Sequence, residues 1–266
     1  MTDQQLFRSL HVSGRPLVLV NAWDAASARV AEAAGAPAVA TTSAGVAWSL
    51  GAPDGDALGP DLAVDLVARI VATVSVPVTA DIESGFGATP DEVGDTVRRV
   101  VAAGAAGVNI EDALHAGPEP LRAVPDQCAR LAAARGASAD LFINARIDTY
   151  LRGAGGVDET VARANAYLDA GADGVFVPGV IDLSVIAKLV AAIPGPLNVL
   201  AWPGAPSVAE FAEVGVARVS LGSGVAEAAY ATMRRAVEEA MGAGTYSALA
   251  GGIDYGSLNE LMRRPS

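Results

Sequence analysis

Short apolar runs rich in β-branched residues alternate along this chain with alanine-rich stretches whose apolar residues recur at helical spacing. Such apolar runs are typical of strands that are buried on both faces. The alanine-rich stretches are typical of helices that pack against a sheet. Four helical stretches end in a glycine that leads directly into an apolar run, at Gly35, Gly104, Gly171 and Gly215. The intervals of 69, 67 and 44 residues between these glycines correspond to about two, two and one helix-plus-strand units.

This repetition predicts eight strands, each followed by a helix, and therefore a parallel sheet closed into a barrel. The predicted strands are 16–22, 38–43, 77–83, 107–112, 141–148, 174–179, 197–202 and 218–223. The clearest predicted helices are 25–34, 62–74, 90–103, 157–170, 183–193 and 225–241. We expect an α/β protein with a single (β/α)8 TIM barrel domain over 1–266, in which the barrel spans about 16–241 and a C-terminal helical tail spans 242–266. The apolar residues of the tail predict that it packs on the body or on a neighbouring subunit.

Composition and charge narrow the possible functions. The 266 residues carry 18 Lys and Arg against 30 Asp and Glu, a net charge of −12. A surface this acidic repels phosphate backbones, and no basic run exceeds two residues, so we expect no nucleic-acid partner. No apolar run is long enough to span a bilayer and residues 1–8 do not resemble a signal peptide, so we expect a cytoplasmic protein with no membrane partner.

Residues with nucleophilic or soft metal-binding side chains are scarce. The chain has one lysine, Lys188, one cysteine, Cys128, and two histidines, His11 and His115. This composition excludes an intramolecular disulfide and a Cys-based metal cluster, and Lys188 lies in a predicted helix, away from any strand end, where a Schiff base is disfavoured. Carboxylates and arginines remain as the candidate chemistry.

Acidic residues collect at the ends of the third and fourth predicted strands, where barrel enzymes carry their active sites. Asp81 and Glu83 end the third strand, and Glu111 lies near the end of the fourth. Alternation along the strand predicts that these three carboxylates form one cluster, which needs a cation to stay ionised. Oxygen ligands select a hard ion, Mg²⁺ first and Mn²⁺ second. Alternatively, the acids are solvated strand ends or partners of helix N-termini and arginines.

Further candidates surround this cluster. Arg146 ends the fifth strand, where its planar fork suits a substrate carboxylate, or else pairs with Glu111 or Asp148. Small residues after the second strand offer backbone N–H groups to an anion. Asp54 lies in a turn-rich loop, as a catalytic group or a turn residue, and His115 lies in a loop that covers the site or faces solvent. Candidates for substrate binding are Trp23, Ser43, Ala44, Gly45, Arg146 and Asn198.

Six motifs, taken in order, resemble those of the isocitrate lyase/phosphoenolpyruvate mutase superfamily. They are Val20-Asn21-Ala22-Trp23-Asp24, Ser43-Ala44-Gly45, Gly51-Ala52-Pro53-Asp54, Asp81-Ile82-Glu83-Ser84-Gly85-Phe86-Gly87, Asn109-Ile110-Glu111-Asp112 and Asn144-Ala145-Arg146-Ile147-Asp148. The resemblance covers roughly residues 17–223 and implies a Mg²⁺-dependent barrel that acts on 2-oxo or 2-hydroxy carboxylates.

The resemblance also implies roles for these residues. Asp81, Glu83 and Glu111 would hold Mg²⁺, partly through water. Ser43 and Gly45 would cradle the substrate carboxylate and oxo group, and Arg146 would bind the carboxylate end. Asp54 would lie beside the reacting centre, and Trp23 would form a pocket wall unless it belongs to the core. Family members are commonly tetramers that exchange C-terminal helices, so a homo-oligomer, dimer or tetramer, is expected.

The chain also departs from the family pattern. No Lys-x-Cys-Gly-His loop occurs between Glu111 and Arg146, which disfavours isocitrate and methylisocitrate as substrates. The sixth strand ends in Phe176-Val177-Pro178 without a histidine, which disfavours P–C bond chemistry. Glu83 replaces the usual second aspartate, and this opens direct rather than water-mediated coordination as a possibility.

The leading hypothesis is a Mg²⁺-dependent lyase that acts on a small 2-oxo carboxylate or dicarboxylate. It would cleave a C–C bond or decarboxylate the substrate through a metal-stabilised enolate, with Asp54 or His115 handling the proton. One alternative is a phosphonopyruvate-type mutase or hydrolase. Another, from a different class, is a non-catalytic protein that binds a 2-oxo acid such as pyruvate or 2-oxoglutarate.

Overall fold

The computed structural model describes residues 1–263, in which eight parallel strands close into one barrel. Each strand pairs with the next in the chain, and the last pairs with the first. The strands are β1 (Leu17–Ala22), β2 (Val39–Thr41), β3 (Val78–Asp81), β4 (Gly107–Glu111), β5 (Phe142–Arg146), β6 (Gly174–Val177), β7 (Leu197–Leu200) and β8 (Arg218–Ser220). The predicted (β/α)8 barrel is confirmed.

Helices surround the barrel and follow the strands in sequence. They are α1 (Asp3–Ser9), α2 (Ala25–Ala33), α3 (Ser43–Ser49), α4 (Pro60–Val71), α5 (Pro90–Ala102), α6 (Val124–Ala137), α7 (Val157–Asp169), α8 (Leu183–Ala192), α9 (Val208–Glu213), α10 (Gly224–Gly242) and α11 (Tyr255–Met262). Lys188 lies in α8, as predicted, and Cys128 lies in α6. Among residues 1–263, no helix is long and apolar enough to cross a bilayer.

All eight strands are shorter than the apolar pattern suggested, and the differences at β2 and β3 affect the site. The second strand ends at Thr41, because the Thr42 side chain accepts a hydrogen bond from the Gly45 N–H at 3.4 Å and thereby caps α3. Ser43 is therefore the first residue of a helix and not the last of a strand. The third strand ends at Asp81, and Glu83 lies beyond it with φ of 52°.

The two faces of the barrel strands differ in polarity. Outward-facing side chains such as Val108, Ile110 and Ile143 are fully buried beneath the helices. Inward-facing positions carry polar residues. Asn144 donates to Asn109 Oδ1 at 3.1 Å across neighbouring strands, and Arg218 lines the interior. The helices thus bury the apolar face and the barrel encloses a polar centre.

Helix α1 closes the amino-terminal end of the barrel. Phe7 is fully buried, and its ring packs against Phe142 with centroids 5.5 Å apart. The His11 ring stacks on the same Phe142 ring at 4.1 Å, and Leu17 and Leu19 complete the apolar cluster. Any opening of the barrel interior to solvent therefore lies at the opposite end, where the strands terminate.

The chain after the barrel continues as two helices. Helix α10 carries exposed apolar side chains, and α11 packs on α2, where Arg29 Nε donates to the Leu261 carbonyl at 2.9 Å. The predicted contact of the tail with the body is therefore present. The predicted tail 242–266 ends in three residues, 264–266, that lie outside the described part of the chain.

Candidate active site

Two cavities adjoin at the carboxyl ends of the strands. The deep cavity has a volume of about 200 Å³ and reaches from Ser43 and Asp54 down to Thr79 and Arg218 inside the barrel. The outer cavity has a volume of about 360 Å³ and lies beneath the loop of His115. Ser43, Asp54, Arg146 and Leu151 line both cavities.

Asp81, at the end of β3, faces the deep cavity. Its Oδ1 accepts a hydrogen bond from the Asn109 amide at 3.2 Å, and its Oδ2 accepts one from the Ser43 N–H at 3.3 Å. The end of β3 is thereby tied to β4 and to the first turn of α3. The carboxylate keeps lone pairs directed at the cavity, because a carboxylate accepts about four hydrogen bonds.

Glu83 occupies a left-handed backbone conformation that is uncommon for residues other than glycine. Its buried Oε2 accepts hydrogen bonds from the backbone N–H groups of Asp56 and Gly55, the latter at 3.0 Å. Burial, with the nearby charges of Asp54 and Asp81, raises the pKa of Glu83 to about 7. Glu83 lines the outer cavity and not the deep one, so strand alternation did not predict its direction correctly.

Glu111, at the end of β4, is held by two partners. The His115 Nε2–H donates to Oε1 at 2.7 Å, and Arg146 NH1 lies 2.6 Å from Oε2. Burial raises the pKa of Glu111 in spite of these partners. The hydrogen bond to Glu111 in turn raises the pKa of His115, whose Nδ1 accepts from Arg152 at 3.2 Å. His115 therefore covers the outer cavity and does not face solvent freely.

Arg146 pairs with both of the carboxylates that the sequence offered as alternatives. Its Nε and NH2 groups donate to the two oxygens of Asp148 at 2.7 and 2.8 Å, and NH1 meets Glu111. Although burial opposes the charged form, these carboxylates raise the pKa of Arg146. The guanidinium still lines both cavities, and a guanidinium has five N–H donors, so hydrogens remain for a ligand.

Asp54 lies where the two cavities join. Burial and the charge of Asp81 raise its pKa, and a side-chain hydrogen bond with Ser43 opposes this shift. The loop of Asp54 is anchored by Glu83, whose carboxylate binds the two residues that follow it. Asp54 is thus a fixed group at the cavity mouth that takes up a proton more readily than an ordinary aspartate.

The remaining candidates occupy different positions. Ala44 lines the deep cavity, but Trp23, Gly45 and Asn198 line neither cavity. Trp23 packs behind Gly45 and near Tyr230, with ring centroids 6.4 Å apart. The backbone N–H groups expected to bind an anion belong to the first turn of α3. Two of them already donate hydrogen bonds within the protein, Ser43 to Asp81 and Gly45 to Thr42.

Sequence reasoning missed the polar residues on the inward face of the strands. Arg218, the first residue of β8, lies deep in the barrel, and Thr79 and Asn109 line the same cavity. The sequence does contain a pattern that could have identified Arg218. In the run 217–221, Arg218 and Ser220 alternate with the apolar residues Ala217, Val219 and Leu221. That pattern places one charged and one polar side chain on the face opposite the helices.

The residues fit a magnesium ion by their chemistry. Asp81, Glu83 and Glu111 are oxygen donors around adjoining cavities, and the charge of Asp81 contributes to the raised pKa of both glutamates. A cation would relieve this repulsion. Among residues 1–263, no three His, Cys, Asp or Glu side chains are gathered tightly enough to hold a metal together, so the expected compact cluster is not formed. Mg²⁺ commonly takes one or two carboxylates and keeps several waters, which suits this looser arrangement.

Comparison with known proteins identifies relatives over most of the chain. The family model described as phosphoenolpyruvate phosphomutase matches residues 7–241. An uncharacterized protein of Mycobacterium tuberculosis is 42% identical over 218 residues, which cover 82% of this chain and 81% of the relative. The 2-methylisocitrate lyase of Escherichia coli is 33% identical over 201 residues, 72% of this chain and 67% of the relative.

Solved structures show the same architecture. The crystal structure of a phosphonopyruvate hydrolase in complex with oxalate and Mg²⁺ superposes with a TM-score of 0.87 at 27% identity. The match covers 98% of this chain and 95% of that one. Together with the family match over most of the barrel, this establishes that the chain belongs to the phosphoenolpyruvate phosphomutase family, within the isocitrate lyase/phosphoenolpyruvate mutase superfamily.

Proposed function

We propose that this protein is a Mg²⁺-dependent lyase that breaks a C–C bond or removes CO₂ from a small 2-oxo carboxylate. The observation that carries the proposal is the grouping of Asp81, Glu111, Arg146 and Asp54 around adjoining cavities at the carboxyl ends of the strands. Family membership supports it, because the relatives include a 2-methylisocitrate lyase and a Mg²⁺-bound phosphonopyruvate hydrolase.

Asp81, Glu83 and Glu111 are the residues that would hold Mg²⁺, or Mn²⁺ in its place. When bound, the ion supplies the positive charge that stabilises an enolate when a bond next to a carbonyl breaks. Asp81 is the best placed of the three, because it faces the deep cavity and is bonded only to neutral donors.

Arg146 orients the substrate by its charge and shape. It lines both cavities, and its two carboxylate partners fix the plane of the guanidinium while donors remain for a substrate carboxylate. This arrangement lowers the entropic cost of binding, because the side chain is ordered before the ligand arrives.

Asp54 is the better candidate for the proton-handling group. It lies at the junction of the cavities, whereas His115 lines only the outer cavity and has partners on both ring nitrogens. The raised pKa of Asp54 brings it closer to neutrality, where a general acid or base works best. His115 would then position Glu111 and cover the site.

The test is a turnover assay with Mg²⁺ and freshly prepared oxaloacetate, 2-oxobutyrate, pyruvate, 2-oxoglutarate and phosphonopyruvate, followed by release of oxo acid, CO₂ or phosphate. We expect Mg²⁺-dependent turnover that chelation abolishes. Asp81→Asn should lower kcat/KM at least a hundredfold, because it removes a charge from the centre. The matched control is Asp95→Asn, at an exposed position of α5, which should leave the rate unchanged.

Each result decides between the proposal and its competitors. Turnover of phosphonopyruvate alone would replace C–C chemistry with P–C chemistry. Tight Mg²⁺-dependent binding in calorimetry without turnover of any acid would identify a binding protein instead. Equal rates for Asp81→Asn and Asp95→Asn would contradict the assigned role of Asp81.

We also propose that the protein is a homo-oligomer whose subunits meet through α10. Tyr230, Met233, Val237 and Met241 follow one another at helical spacing and are 38, 63, 51 and 83% exposed. An apolar stripe of this kind on a helix is typical of a face that packs against another element. Dimers and tetramers both satisfy this arrangement.

A further inference from the structure

Arg218 is a buried arginine that has no carboxylate partner among residues 1–263. Arg218 is 3% exposed, is the first residue of β8 and lines the deep cavity inside the barrel. Its Nε donates to Ser220 Oγ at 3.2 Å, and within residues 1–263 its NH1 has no hydrogen-bond partner. A second lining residue, Thr79, has a buried hydroxyl that likewise finds no partner in the described part of the chain.

The contrast with Arg146 indicates which guanidinium is available to an anion. Arg146 is neutralised by Glu111 and Asp148, whereas Arg218 forms no ion pair with any described residue. Among the charges of residues 1–263, Asp81 is the one that favours the protonated form of Arg218, and it acts without forming an ion pair. The uncompensated positive charge of the cavity therefore lies at its floor.

Leaving such a group unpaired is energetically unfavourable. Burial lowers the pKa of Arg218 to about 9, which reflects the cost of holding its charge away from water. A hydrogen-bonded carboxylate would offset that cost, since charge-assisted bonds are the strongest that side chains form. The observations thus point to an anionic ligand as the partner of Arg218.

The orientation of Arg218 is set by its neighbours. Ser220 accepts from Arg218 Nε and donates its own hydrogen to Asn198 Oδ1 at 3.1 Å. This relay holds the guanidinium by one edge and leaves NH1 free. Asn198, which does not line the cavity, is therefore a positioning residue for Arg218.

We propose that Arg218 and Thr79 form a carboxylate-binding subsite at the floor of the deep cavity, which receives the distal carboxylate of a small 2-oxo dicarboxylate. The proposal rests on the proposed function, and it deepens it by naming the substrate class. At about 200 Å³, the cavity is below the volume of pockets that hold drug-sized ligands, which suits an acid of few carbons.

Two acids of similar shape test the subsite by equilibrium binding, which requires no turnover. Oxaloacetate carries a distal carboxylate where 2-oxobutyrate carries a methyl group. Calorimetric titration with both acids, in chelator and again with Mg²⁺, would be made on the wild type, Arg218→Met, Arg218→Lys and the exposed control Arg234→Met. We expect the wild type and Arg234→Met to prefer oxaloacetate by about ten- to a hundredfold.

In Arg218→Met this preference should fall to about twofold or less, while 2-oxobutyrate binds as before. Arg218→Lys should keep part of the preference.

Thermal unfolding without ligand separates a role in binding from a structural role. Arg218→Met should unfold at the same temperature as the wild type or higher, because it replaces an unpaired buried charge by an apolar chain of similar length. A large loss of ligand-free stability with unchanged selectivity would overturn the subsite.

Further outcomes distinguish this proposal from the proposed function. Arg218-dependent selectivity without turnover would support the subsite and count against the lyase. Turnover with selectivity unchanged in Arg218→Met would support the lyase and overturn the subsite. If added acetate lets 2-oxobutyrate bind as tightly as oxaloacetate, the floor takes a separate small anion, and the dicarboxylate assignment is wrong.

Discussion

At Gly45 the chain passes so close to its neighbours that no larger residue fits. A β-carbon at this position would lie 2.7 Å from Thr42 Cγ2 and 2.8 Å from Trp23 Cβ. The glycine therefore permits α3 to begin directly against Trp23, the residue that follows β1, while Ser43 and Ala44 line the cavity. Its contribution to the site is one of packing rather than direct contact with a ligand.

Gly45→Ala should accordingly lower the free energy of unfolding by about 1 to 3 kcal/mol, because the surrounding side chains must move. Gly136→Ala in α6 is the matched control, since no described residue has an atom within 4 Å of its added β-carbon. Alanine is the better helix former, so this control should gain up to about 1 kcal/mol. Urea denaturation of the two variants measures both effects, and equal stability would contradict the packing argument.

Single residues also show how far the sequence could predict this site. Asp81, Glu111 and Arg146 were predictable because parallel strands end at one edge of a barrel, where their last side chains converge. The direction of Glu83 was not, because it depends on a left-handed backbone and on N–H groups from a distant loop. Arg218 was missed because its role depends on what surrounds it inside the barrel.

Among the elements, α1 has the clearest separate role. The apolar pattern gave no prediction for it, because seven residues with one buried side chain carry little periodicity. It nevertheless closes one end of the barrel with Phe7 and is followed by His11. The His11 Nδ1–H donates to the Phe7 carbonyl at 2.9 Å, and the buried Nε2 has no partner among the residues that the structure describes. The helix therefore brings a titratable group to the barrel floor.

His11 makes the stability of this end depend on pH. Burial lowers the pKa of His11 to about 3, and the charges of Arg218 and Arg8 act in the same direction. The Phe7 carbonyl and Asp173 oppose this shift. The unfolded chain, with a histidine pKa of about 6.5, binds more protons between these values. Stability is therefore lost as the pH falls below about 6.5, by about 1 to 2 kcal/mol between pH 7 and pH 5.

His11→Phe should remove this contribution and keep the stacking on Phe142. Thermal or urea unfolding at pH 5 and pH 7 measures the difference in stability for the variant and the wild type. We expect the variant to lose less stability than the wild type on acidification. The same loss in both proteins would show that His11 is not the titrating group.

For the molecule as a whole, the exposed stripe on α10 predicts association. Light scattering of the wild type at micromolar concentration should give the mass of a dimer or tetramer. Met233→Glu combined with Val237→Glu should lower that mass, since two charges would enter an apolar contact. Arg235→Glu, at an exposed position on a different face of the same helix, is the control and should leave the mass unchanged. A monomeric wild type would contradict the proposal.

The closure of the barrel by Phe7 and Phe142 also has a kinetic consequence. A cavity sealed at one end releases its contents through a single mouth, in the reverse order of their depth. If a substrate held by Arg146 and Arg218 is cleaved at a bond between these two arginines, the fragment at the floor leaves last. That fragment is then the product that the free enzyme rebinds. Product inhibition should then be competitive with substrate for the carboxylate-bearing fragment held by Arg218 and noncompetitive for the fragment at the mouth.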